Sequence, residues 1–183
     1  MRHVLSLAVI AALASGAPAM AQDAIGTVTI DGSVADRCLF TTDNAVISVG
    51  ELALGGSGTT AGRLDPTRLN GQTRTLVGWC NGTSATIEVE ALPLLNTDFT
   101  GTPPAGFDRR VDITATAEAN DVSASDSSIN AGAGAASTVG LFTGSIDVTL
   151  SNASTPTNGL LVAGGYVGQV VVTLSPNIGF TEE

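Results

Sequence analysis

A period of two runs through this chain and excludes most folds. Across residues 25–34 (IGTVTIDGSV), Gly26, Val28, Ile30, Gly32 and Val34 share one side of an extended backbone. Thr27, Thr29, Asp31 and Ser33 share the other. This is the pattern of a half-buried β-strand. Residues 85–91 repeat it more cleanly, with Ala85, Ile87, Val89 and Ala91 set against Thr86, Glu88 and Glu90. Residues 166–174 close the series, with Tyr166, Gly168, Val170, Val172 and Leu174 on one face. Apolar residues at helical spacing are hard to find.

The intervening sequence supplies further short strands at 45–49, 73–80, 109–117 and 143–150. The 22 glycines and abundant Thr, Ser and Asp put turns between them. Asn81-Gly82 is a two-residue hairpin signal. Residues 54–62 read as an exposed loop, 92–107 as an irregular crossing and 151–159 as a turn. Residues 118–137, rich in Ala, Ser, Asp and Gly, read as a mobile loop because they offer little surface to bury. Seven to nine short strands at this spacing predict an all-β antiparallel sandwich, with a barrel as the alternative architecture.

The chain opens as a secretory signal. Arg2 and His3 precede a short apolar run, and Ala19-Met20-Ala21 is a small-x-small cleavage pattern, so residues 1–21 are expected to be removed. Residues 22–175 then form one sandwich domain, and 176–183 a loose tail. The run is too short to span a bilayer, and no stable membrane insertion is expected. Two cysteines in an exported chain most simply form one bridge, Cys38–Cys80, worth about 4 kcal/mol by loop entropy.

Chemistry is restricted by what the sequence lacks. There is no lysine, and the one histidine, His3, lies in the leader. A mature chain without either has no imidazole-based triad, no Schiff base and no phosphate-cradling lysine loop. With seven arginines against seventeen acidic residues and a formal charge of −10, nucleic acid and anionic membranes are poor partners. Glu88 and Glu90 are close enough to be weighed as a glycosidase pair, but the polar side of a strand usually carries only solvated charge. Asp121 and Asp126 lack the spacing of a calcium loop. No enzyme activity, metal or cofactor is expected. Asn81 and Asn152 fall in glycosylation sequons, read as chance in a bacterial exported chain. Trp79 and Tyr166 are candidates for a sugar-binding face, although Trp79 beside a bridged cysteine is expected in the core.

Taken in order, these segments carry a resemblance. The run Gly26-x-Val28-x-Ile30-x-Gly32-x-Val34 ending at Cys38, a short strand ending in Val49-Gly50-Glu51-Leu52, and Cys80 closing the next strand resemble subunits of chaperone–usher fimbriae. The run from Leu161 to Leu174 is similar to the closing strand of spore-coat-U-like secreted proteins. The resemblance implies an immunoglobulin-like sandwich lacking one strand, whose groove accepts the amino-terminal strand of the next subunit. Gly26, Val28, Ile30, Gly32 and Val34 would then form the donor strand. Tyr166, Val170, Val172 and Leu174 would form the groove wall, which a chaperone pairs with before assembly. Identical or related subunits, a periplasmic chaperone and an outer-membrane usher are the implied partners. The implied route runs through the periplasm to the cell surface. Only sixteen residues separate the expected cleavage site from Cys38, and residues 175–183 run past the last strand. A self-complemented secreted monomer that binds a surface glycan or protein therefore stays open beside the fimbrial reading.

Overall fold

The computed structural model describes residues 24–176, and the expected signal segment and nearly all of the tail lie outside them. Its strands are β1 (Cys38–Thr42), β2 (Thr73–Cys80), β3 (Thr86–Asn96), β4 (Phe107–Asp108), β5 (Arg110–Ala119), β6 (Val122–Ser127), β7 (Ser137–Thr138), β8 (Phe142–Ser154), β9 (Leu160–Leu161) and β10 (Tyr166–Ser175). Among the described residues there is no α-helix, only a 3₁₀ turn at Pro66–Arg68, whose first amide is capped by Asp65. The chain divides into a short unit up to Ser33 and a body from Val34 onward.

Within the body, β1-β2-β8-β5-β3-β10 is a single hydrogen-bonded path, with β6 on β5 and β7 on β3. All these pairings are antiparallel, and only the small β4–β9 pair is parallel. The join between β3 and β5 is just Leu94↔Val111 and Leu95↔Arg110. Beyond it β6 takes the place beside β5, and the path folds into two layers. One is β1-β2-β8-β5-β6; the other is β3-β10 with β7. This is the all-β antiparallel sandwich expected from the sequence, with Cys38 and Cys80 bridged across the β1–β2 ladder.

The alternation decides what fills the space between the layers. Ala85, Ile87, Val89 and Ala91 are all buried, as are Val111, Ile113, Ala115 and Ala117 on β5 and Ile146, Val148 and Leu150 on β8. Many of these side chains are alanine, so the layers lie close where β3 and β5 face each other. Burying each larger aliphatic side chain contributes about 1.5–3 kcal/mol.

Where β3 leaves β5, its second edge is satisfied piecemeal. The Asp126 carboxylate accepts from the Ala91 amide at 2.9 Å, Gly134 donates to Val89 O at 2.9 Å, and β7 pairs with Thr86 and Ile87. A backbone edge buried without partners would cost about 1–3 kcal/mol per group, so these substitutes hold the second layer in place.

Several local expectations are corrected. Residues 24–37 belong to no strand; pairing begins at Cys38, where β1 meets β2. Residues 45–49 are also unpaired, because the β1 ladder shifts register between Phe40 and Thr42 and the chain then leaves β2. Asn81-Gly82 is not a hairpin, since β2 pairs with β1 and β8 and the chain crosses here to the other layer. Instead Asn81 Oδ1 accepts from the Arg37 amide at 2.5 Å, and its Nδ2 donates to Ala35 O at 3.1 Å. The expected mobile loop at 118–137 contains β6, joined to β5 by Asn120-Asp121 with φ of 51° and 59°. Two successive positive φ values are the signature of a type I′ hairpin turn. Finally, β3 and β8 run beyond their expected ends, to Asn96 and Ser154. At Pro93, which has no amide to donate, the β3–β10 register shifts between Val167 and Gln169.

One end of the sandwich is tied by Asp108, whose Oδ2 accepts from Gly159 N at 2.7 Å, Thr157 Oγ1 at 2.9 Å and Thr157 N at 3.3 Å. Burial pushes this carboxyl up, but the Gly159 and Thr157 donors together outweigh it and leave the group below the ordinary value of 3.8. A depressed carboxylate stabilises the fold fully above its unfolded pKa, and that stability is lost as pH falls through the folded pKa. Thermal melts at about pH 5 and about pH 2.5 are expected to show a smaller acid-induced drop for Asp108→Asn than for the parent chain.

Candidate functional site: an apolar groove between two unpaired chain edges

The strand β10 pairs with β3 on one side; among the described residues no strand pairs with its other edge. Its inward residues Val170, Val172 and Leu174 are only partly buried, unlike their counterparts on β3. Facing that edge is the stretch 43–50, which leaves β2 after Thr42. No backbone–backbone hydrogen bond ties this stretch to the rest of the described chain. Ile47 and Val49 pack their side chains against the core, while Val46 points outward and is exposed.

Between these two edges lies a groove of about 1310 Å³. Its floor is Leu76, Val148 and Leu150 from one layer, Ile113 and Leu94 near the β3–β5 join, and Leu69. Its walls are Ile47 and Val49 on one side and Tyr166, Val170 and Val172 on the other. Arg74 enters from β2 and is the one cation among the lining residues. At one end Tyr166 Oη donates to Val162 O at 2.9 Å, and Asn96 Nδ2 donates to the same carbonyl at 2.9 Å. At the other end β1 approaches β10, and Leu174 Cδ1 lies 3.2 Å from where a Cβ on Gly78 would stand. The same Cβ would stand 3.0 Å from Leu39 O, so a side chain at position 78 would force its neighbours to shift.

The expected groove-wall residues Tyr166, Val170 and Val172 thus come together in this lining. Leu174 sits beyond it, at the end that β1 closes. The donor-strand candidates are distributed differently. Ile25, Val28 and Ile30 are exposed at 91%, 85% and 90%, with Gly26 and Gly32 also exposed, in the short amino-terminal unit; Val34, exposed at 78%, begins the body.

Trp79 is a correction. On β2 the residues Gly78 and Cys80 face the core, so Trp79 falls on the outer face, half-buried, between Leu39 of β1 and Thr143 of β8. With the exposed Leu141 it borders a shallow depression. Around it the outer face carries hydroxyls and a carboxylate, including Thr73 with Thr149 at 3.0 Å and Thr75 with Asp147 at 2.6 Å.

The remaining candidates do not converge. Glu88 and Glu90 face outward on β3, opposite Thr173 and Val171 of β10. Asp126 is buried and committed to the Ala91 amide, whereas Asp121 sits in the exposed β5–β6 turn. Among the described residues no three acidic, His or Cys side chains are grouped to hold a metal ion. Comparison with protein-family models, with curated proteins and with solved structures finds no match.

The outer-face position of Trp79 has a measurable consequence. Its fluorescence is expected to be quenched readily by acrylamide in the native protein, and Trp79→Ala is expected to cost no more than about 1–2 kcal/mol, against about 3–5 for a core aromatic. Denaturant melts of the two proteins make the comparison.

Proposed function

We propose that this chain is an exported structural subunit that assembles by strand donation, residues 25–34 of one copy filling the groove of the next. The observation that carries this reading is the groove itself: an apolar trough with an unpaired backbone edge along each side. A ligand that satisfies both edges and the floor together must be an extended peptide with alternating apolar side chains. Residues 25–34 have that alternation, and their large apolar side chains are exposed.

The dimensions agree. Ten extended residues span about 33 Å at about 3.3 Å each, matching the length of Tyr166–Ser175. Inserting Val28, Ile30 and Val34 would contribute about 1.5–3 kcal/mol apiece, and each ladder hydrogen bond about 0.5–1.5 kcal/mol net. Gly26 and Gly32 let the donated backbone sit low between the bulkier positions. Because donor and groove are different surfaces of one chain, each contact is head-to-tail and leaves a further donor and a further groove free, so copies propagate into a fibre or coat. A chaperone that covers the β10 edge and an outer-membrane usher complete the proposed route. The Cys38–Cys80 bridge fits an oxidising compartment outside the cytoplasm, and no helix of the described residues is long and apolar enough to cross a membrane.

A second reading rests on Trp79. A half-exposed indole on a flat, hydroxyl-bearing sheet face is suited to stacking on a sugar ring, and it favours a self-complemented monomer that binds a surface glycan.

The two readings part on one gel. The exported chain, run unboiled in SDS, is expected to give a ladder of oligomers that collapses to monomer on boiling. Ile30→Asp is expected to abolish the ladder while leaving the circular dichroism of the body unchanged, because a carboxylate is costly to bury against an apolar floor. A parent chain that runs only as monomer, or an Ile30→Asp chain that still forms ladders, overturns strand donation.

A further inference from the structure

The stretch 43–50 forms one wall of the groove, yet no strand ladder holds it. Continuing the β1–β2 register past Thr42↔Val77 would set Val46 opposite Thr73. The chain departs from that path, and one side chain spans the gap. Arg74 Nε donates to Val46 O at 2.7 Å, and its Nη1 donates to Thr73 O at 2.7 Å. One planar guanidinium therefore joins carbonyls of the two residues that a continuing ladder would have set opposite each other.

The placement of Arg74 makes this a specific arrangement. Its parity on β2 is that of Leu76, Gly78 and Cys80, so it departs from the inward face of its layer, opposite the buried Val148. An arginine at an inward position of an apolar groove ordinarily pairs with a carboxylate. The two ion pairs among the described residues are Arg68–Asp65 and Arg110–Asp112, and neither involves Arg74. Its polar work, as described, is on backbone carbonyls.

We infer that Arg74 is the positioning residue of the groove: its fork holds residues 43–50 away from β2 at the spacing that admits one β-strand between them and β10. This rests on the strand-donation reading and adds to it the device that sets the groove's width. A strand needs a neighbour at about 4.8 Å on each side. A wall that drifted back onto β2, or outward into solvent, would leave the arriving backbone with one ladder instead of two. Lysine is a poor replacement, since a single ammonium on a flexible stem does not reproduce the planar fork.

The test uses the full chain carrying Ile30→Asp, so that its own arm is disabled, and a fluorescent synthetic peptide of residues 24–36 as probe. On the strand-donation reading this chain captures the peptide. Adding Arg74→Met is expected to weaken capture about tenfold, and Arg74→Lys by an intermediate factor. Because Arg74 is solvent-exposed, the melting temperature is expected to move by no more than a few degrees. Amide exchange at Ile47 and Val49 is expected to slow on peptide binding in the Arg74 chain and much less in the Met variant, a change that a purely structural defect would not produce. If the Met variant fails to fold, the lysine variant decides, and unchanged affinity there overturns the inference. Unchanged affinity in a folded Met variant overturns it equally. Failure of the Arg74 chain itself to capture the peptide overturns strand donation instead, so the two failures are distinguishable.

Discussion

An unpaired backbone edge is the constraint on which this architecture turns. The interior strands β2, β8, β5 and β3 have neighbours on both sides, and the fold goes to some length to keep it so. Where β3 parts from β5, a carboxylate from β6, an amide from the 128–137 segment and two residues of β7 take over in succession. Among the described residues no such repair is made along β10. The contrast matters because the two strands are partners in the same small layer, and an exposed edge is an aggregation hazard that monomeric proteins ordinarily blunt. Here the edge borders a trough with apolar walls and floor, and the proposed strand donation would give it a use.

The alanines of the core shape that trough. Ala85, Ala91, Ala115 and Ala117 are buried small side chains that let the two layers lie close on the side where β3 packs against β5 and β6. On the other side of the sandwich, Leu76, Val148 and Leu150 meet no equivalent inward strand and form a floor instead. The sandwich is thus tight on one side and open on the other. The opening lies where no strand among the described residues pairs with the second edge of β10, and no single residue creates it.

That origin explains what could and could not be read in the sequence. Residues 85–91 and 166–174 declared themselves because alternation of bulky and polar side chains is a local property. The bounds of β2 were legible for the same reason. The disulfide followed from having two cysteines and one possible pairing. By contrast, β6 carries Ser, Ala and Asp in place of branched residues, so its composition suggested a loop; the usable signal was the Asn120-Asp121 pair, which tolerates the positive φ that a tight hairpin needs. Asn81-Gly82 offered the same kind of signal and misled, because the chain changes layers there. Residues 45–49 alternate as a strand does, and lack only a neighbour to pair with. Trp79 was assigned to the core by its proximity to Cys80, but one step along a strand reverses the face. Arg74 carried no sequence signal at all, since its role depends on where the chain peels away from β2.

The knot at Asn81 has a mechanical meaning. Its side chain and backbone bind Arg37 and Ala35 immediately before Cys38, and Cys38 is covalently joined to Cys80. Tension applied through the amino-terminal segment of an assembled chain would therefore enter the body at a pinned point, one residue from a covalent cross-link. The load would reach β2, the strand next inside the edge strand β1, without first unzipping the short ladder of β1. In a polymer assembled as proposed, the Cys38–Cys80 cross-link would stand at the root of each link, so that the link could outlast the hydrogen bonds around it.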